Sequence, residues 1–148
     1  MTPAKIVADN RRARFDYEIL ETLEAGLVLT GPEAKSCRMG HVNLAGAYVS
    51  FHGAVPILRQ ATISAYPFAS GIEHVPTRDR ALLLKKGEAE RIRSAIAEKG
   101  VTVIPLRVQA GKYIKVTLAV GRGRKRLDKG RAIRDREVKR GLREGREV

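Results

Sequence analysis

From Leu106 to Val120 apolar and polar positions alternate almost without a break. Leu106 and Val108 precede the segment QAGK, and Ile114, Val116, Leu118 and Val120 follow it. A period of two on both sides of a glycine-bearing turn predicts a β-hairpin. Arg107, Lys112, Lys115 and Thr117 lie in or beside the other row, so the sheet has one apolar face and one wet face. The same pattern places Val49 and Phe51 before the turn His52-Gly53, with Val55 and Ile57 after it. A third hairpin is expected at Ala25-Gly26, between YEILETLE and LVLT, and the imperfect alternation of the first run points to a bulge. About six strands result from this reading.

Two segments switch to the helical period. GPEAKSCRMG carries Pro32 where a first helical turn tolerates it and Gly40 just beyond the end. KKGEAERIRSAIAEKG sets Ala89, Ile92, Ala95 and Ile96 on one stripe and stops at Gly100. YPFASGIEHVPTRDR is broken by Pro67, Gly71 and Pro76 and reads as a long surface connection of the kind that often carries function. Short antiparallel strands with inserted helices suggest a mainly β fold, an OB-type antiparallel barrel. The pattern alone also describes another α+β sheet.

Length changes the picture little: 148 residues make room for one core. Charge changes it more. The chain carries +13, and residues 121–148 hold twelve Lys or Arg against five Asp or Glu, with almost nothing apolar to bury. The expected organisation is therefore one domain over 1–120, with a short N-terminal extension, and a basic tail over 121–148. A surplus of this size calls for a polyanionic partner, and nucleic acid, an anionic membrane or an acidic protein would each serve. No run approaches the roughly 18 apolar residues of a membrane span, and the N-terminus lacks a secretion signal, so no membrane partner and a cytoplasmic location are expected.

Candidate chemistry is sparse. Cys37 stands alone, which excludes an internal disulfide, and His41, His52 and His74 lack the spacing of a zinc site. Neither a metal nor a cofactor is expected. GRGRKR begins like a dinucleotide fingerprint but has Arg126 at its last glycine position. Glu18, Glu21 and Glu24 are spaced as solvated groups along a strand rather than as an acid/base pair. Cations are better organised: Arg11, Arg12 and Arg14 in NRRAR, Lys35 with Arg38, and Arg78 with Arg80 in TRDR all suit phosphate. The aromatic set is small, namely Phe15, Phe51, Phe68, Tyr17, Tyr48, Tyr66 and Tyr113, and some of these must fill the core. That favours recognition of a folded RNA by backbone, shape and 2′-hydroxyls over stacking along a single strand.

NRRARFDY, ETLEAGLVLTGPEAKSCRMGHVNLAGAYV, PTRDRALLL, EKGVTVIPLRV and GRGRKRLDKGRAIRDRE, in that order, resemble the successive motifs of the small protein B family, the SsrA-binding proteins of bacterial trans-translation. The resemblance runs from about Asn10 to Glu137 and implies an OB-type barrel without catalytic activity. It also implies binding to the tRNA-like domain of transfer-messenger RNA (tmRNA) and promotion of its alanylation. Alanyl-tRNA synthetase and elongation factor Tu would be met only through that RNA. The destination would be ribosomes stalled without a stop codon, and the working form a monomer. The tail would be disordered when free and would form a helix at the small-subunit decoding centre, in the empty mRNA channel. Its residues there would be Arg122, Arg124, Lys125, Arg126, Asp128, Lys129, Arg131, Ile133, Arg134 and Arg136.

By motif, Asn10, Glu24 and Leu83 fall at positions the family uses for RNA binding or for the integrity of that surface. Lys35, Arg38, Arg78 and Arg80 are taken as backbone clamps. The chain departs from the family at Gly130, where arginine is usual, at Phe15 in place of histidine and at Cys37 in place of leucine. Gly141 and Gly145 also interrupt the tail, each costing a helix about 1 kcal/mol relative to alanine. The bound helix is therefore expected to be short, near Arg131 to Arg140. A ribosome-biogenesis protein and a general single-strand binder share the charge and remain alternatives.

Overall fold

The computed structural model describes residues 4–67 and 74–124. Its elements are β1 (Lys5–Asp9), α1 (Arg11–Asp16), β2 (Tyr17–Leu27), α2 (Gly31–Arg38), β3 (Val42–Asn43), β4 (Tyr48–His52), β5 (Val55–Arg59), β6 (Thr62–Ile63), β7 (Arg80–Leu83), α3 (Lys86–Ala97), β8 (Val101–Ala110) and β9 (Ile114–Gly123). Phe68 and the tail residues Lys125, Arg126, Asp128, Lys129, Arg131, Ile133, Arg134 and Arg136 lie outside the described residues. The same holds for the expected tail helix.

Seven strands form one antiparallel sheet in the order β1-β8-β9-β2-β7-β5-β4, and β3 pairs with β6 separately. The sheet curls until β4 lies against β8, which gives the OB-type barrel. Its interior holds Val49, Leu58, Val103, Val108, Val116 and Leu118, and Ile92 of α3 is buried against it. Residues 114, 116, 118 and 120 of β9 all face this core, as their spacing predicts.

Both expected helices form. Thr30 and Glu33 close a capping box at the start of α2, each side chain meeting the other's backbone N–H. The His52-Gly53 hairpin is present, with Gly53 at φ +60°. So is the hairpin that turns between Ala110 and Ile114. The bulge expected in β2 falls between Ile19 and Glu21.

The turn expected at Ala25-Gly26 does not form. β2 runs straight through it, pairing Ala25 with Val116 and Gly26 with Lys115. The glycine serves a close approach instead: a Cβ there would sit 3.2 Å from the Cβ of Leu83 on β7. LVLT therefore leads into α2 rather than back along the sheet.

A second bulge interrupts β8 between Pro105 and Arg107. Pro105 has no N–H to give the ladder, so the register slips there. As a result Leu106 joins an outer cluster with Ala13, Ile104 and Ala119, whereas Val108 faces the barrel interior. That outer cluster seats α1 on the outside of the sheet.

Candidate nucleic-acid interface

Asn10 reaches the bulge at the Pro105 carbonyl. Its Nδ2 donates to Pro105 O at 2.9 Å and to Leu44 O at 3.4 Å, while its backbone N–H donates to Leu106 O at 2.7 Å. Asn10 is buried at the N-cap of α1 and fixes how that helix leaves the sheet. Three cations then project from α1. Arg11 and Arg14 approach Asp9 at 3.8 and 3.6 Å, and Arg12 approaches Asp16 at 3.4 Å while lying 4.9 Å from the Phe15 ring centroid. Such exposed pairs are worth at most about 1 kcal/mol, so the guanidinium groups are free to exchange partners.

Beside α1 the outer face of the sheet stays open. Cross-strand register lines up Glu24, Thr117, Arg107 and Asp9 in one row. The next row runs Leu83, Gly26, Lys115, Gln109 and Ile6. Leu83 is 64% exposed because Gly26, beneath it, offers no side chain to cover it. Glu24 and Lys115 stand 3.8 Å apart next to it, and Lys85 and Glu88 complete the rim of a shallow depression. An apolar side chain ringed by charges on a wet sheet face is an unusual use of leucine, and it marks this patch.

The third group surrounds Glu33 of α2. Its carboxylate takes Arg78 at 2.6 Å and Arg80 at 2.7 Å, with its own side chain 3% exposed. Burial pushes this acid up, but hydrogen bonds from Arg78, the Thr30 N–H and Arg80 more than offset that and hold it at about 2, against the usual 4.5. Arg78 is raised in turn, chiefly by its hydrogen bond to Glu33. Its side chain stays 43% exposed and can still present charge outward.

Arg80 requires a correction. Its guanidinium is fully buried, donating to Glu33, to Ala61 O and to Pro76 O, each within 3 Å. A phosphate cannot reach it, so it is a structural ion rather than a clamp. Cys37 lies close to this pair, and burial pushes its thiol up to about 11, leaving it without thiolate chemistry.

Lys35 and Arg38 occupy exposed positions on α2. Lys35 Nζ lies 5.4 Å from the Tyr66 ring centroid, and Arg38 donates to Gly111 O at 2.7 Å and to Lys112 O at 3.3 Å. Arg122 and Arg124, expected in the tail, belong to the body. Arg122 sits within β9 and meets Glu98 at 3.2 Å, and the Arg124 N–H donates to Asp16 O. The expected boundary at 120/121 therefore falls inside a strand. Sequence reasoning missed Glu33 and gave Lys115, Arg107 and Thr117 no role beyond the wet row. Thr30-x-x-Glu33 was the available signal for the first, and the β9 alternation for the others.

The geometry is that of an OB-type barrel with a cation-studded helix and an open sheet face, the architecture of small nucleic-acid-binding proteins. A family model described as SmpB protein matches residues 7–147, and the chain belongs to that family. An SsrA-binding protein of Anaeromyxobacter dehalogenans (strain 2CP-C) is 46% identical over 137 residues, 92% of this chain and 84% of its own. The SsrA-binding protein of Synechococcus sp. (strain JA-3-3Ab) is 46% identical over 138 residues, 92% of this chain and 90% of its own. A solved chain from "tmRNA-SmpB: a journey to the center of the bacterial ribosome" superimposes with TM-score 0.69 at 40% identity, covering 89% of this chain and 95% of that one. Among the described residues no helix is long and apolar enough to cross a membrane.

Proposed function

We propose that this chain binds the tRNA-like domain of tmRNA, promotes its alanylation and carries it to ribosomes stalled without a stop codon, acting through binding alone. The observation that carries this reading is the match to SmpB along residues 7–147, with relatives named for SsrA binding at 46% identity. The open face beside α1 is the surface we assign to the RNA. Arg11, Arg12 and Arg14 would meet phosphates, each adding slightly under one unit to the slope of log affinity against log salt. Glu24 would accept hydrogen bonds from 2′-hydroxyls or base amines, since a carboxylate repels phosphate but suits a donor. Leu83 would cover an apolar ribose or base surface. Asn10 would act indirectly, by holding α1.

Lys35, Arg38 and Arg78 border the same body and would extend the phosphate contact. Alanyl-tRNA synthetase and elongation factor Tu would be met through the RNA, and the working form of the chain would be a monomer. The tail from Lys125 onward would enter the empty mRNA channel near the small-subunit decoding centre and gain helical order there, near Arg131 to Arg140.

Leu83→Asp tests the placement. On an exposed position it should leave the melting temperature within about 2 °C of wild type. Affinity for tmRNA in a band shift should fall about tenfold or more, the loss expected of a central interface contact. Unchanged affinity would move the RNA off this face.

A further inference from the structure

We propose that Tyr113, at the tip of the β8–β9 hairpin, is a stacking platform for one unpaired base of the bound RNA, and that Arg38 is the residue that positions it. The inference rests on the reading above and adds a contact to it. Tyr113 is 65% exposed, the barest aromatic ring among the described residues; Tyr48 follows at 40%. A hairpin tip would ordinarily be mobile, yet this one is braced from two sides. Arg38 forks its guanidinium onto Gly111 O and Lys112 O from α2, 73 and 74 residues away in the chain. On the other side Gly111 is packed on Ala4, whose Cα would lie 3.4 Å from a Cβ built at the glycine. The ring is thus displayed on a fixed support.

The charges around it choose the ligand. Lys112 Nζ lies 5.6 Å from the ring centroid, Arg38 holds the tip, and Lys5 stands opposite Ala110, the last residue before the turn. An exposed π-face among cations is complementary to a flat base on an anionic backbone, and stacking on tyrosine is tolerant of base identity because every base has a π-face. The platform would add affinity without reading sequence.

The test uses full-length chain and tmRNA. Tyr113→Ala should weaken binding roughly 5- to 100-fold with the salt slope unchanged, because the lost contact is uncharged. Tyr113→Phe should stay within about twofold of wild type, since the face and not the hydroxyl is used. The chain has no tryptophan, so Tyr113→Trp installs a single indole, whose emission should be quenched when tmRNA is added. In that background Arg38→Ala should lower the indole's anisotropy and reduce quenching. Arg38→Lys should fail to restore either, as one ammonium cannot fork two carbonyls.

Wild-type affinity in Tyr113→Ala, equal losses in Tyr113→Ala and Tyr113→Phe, or an indole indifferent to tmRNA would each overturn the site while leaving the function standing. An indole that responds to phosphatidylglycerol vesicles and not to tmRNA would overturn it in favour of a membrane contact. Failure of the wild-type chain to retard tmRNA would instead overturn the functional reading, and this site with it.

Discussion

Glu33→Ala should cost the fold about 3–5 kcal/mol, the usual consequence of removing one partner of a buried ion pair. At this size that lowers the melting temperature by about 10–20 °C. Arg80 is the reason. With its side chain at 0% exposure it would keep its charge and its two carbonyl partners but lose its counterion. Arg78 would be released, and α2 would lose the half of its capping box that satisfies the Thr30 N–H. Acid should reproduce the effect. Because Glu33 is held at about 2 in the fold and returns to 4.5 when unfolded, its contribution is complete above pH 4.5 and is lost as pH falls from there toward 2. Melts recorded across that window should fall more steeply for wild type than for Glu33→Gln, which has no carboxylate to protonate. A melting temperature for Glu33→Ala within about 2 °C of wild type at neutral pH would contradict the account of this cluster.

Truncation after Arg124 should separate two activities: tmRNA binding stays within about threefold of wild type, while peptide tagging on stalled ribosomes disappears. The cut belongs there and not after Val120. Gly121 pairs with Ile19 and Thr102, and its missing Cβ makes room for Tyr17 at 3.1 Å, so an earlier cut would damage the sheet. The removed segment carries ten of the chain's 29 Lys and Arg residues and only Leu127, Ile133, Val138, Leu142 and Val148 as sizeable apolar groups. That composition cannot supply a core of its own, and in the proposed channel its ordering entropy would be offset by counterion release. Reconstituted translation on a message without a stop codon, scored for tagged peptide beside a band shift, reads both activities. Equal loss of both would contradict the division of labour.

Local chemistry in the sequence located much of the barrel. Alternation placed β8 and β9, His52-Gly53 placed the β4–β5 hairpin, Pro32 and Gly40 placed α2, and an apolar stripe ending at Gly100 placed α3. Errors arose where one residue type serves two physical ends. Gly26 looks like a turn glycine, but its missing side chain is used by Leu83 across a strand pair. Within RDRALL, burial statistics would bury the leucine and expose the arginine. The structure does the reverse at Arg80 and Leu83, because the counterion for Arg80 comes from Glu33, 47 residues earlier. A non-local pair of this kind leaves no periodic trace. α1 was hidden for a related reason: six residues that bury only Ala13 show no apolar stripe. The cations of the candidate site were legible as a surplus, but which of them are spent inside the fold was not.

The most direct test is a competition band shift with the full-length chain and labelled tRNA-like domain of tmRNA, against excess bulk tRNA and an unstructured oligonucleotide, at about 50 and 200 mM salt. The complex should persist against both competitors and weaken steeply between the two salt concentrations. Displacement by either competitor as readily as by unlabelled tRNA-like domain would contradict the proposed function.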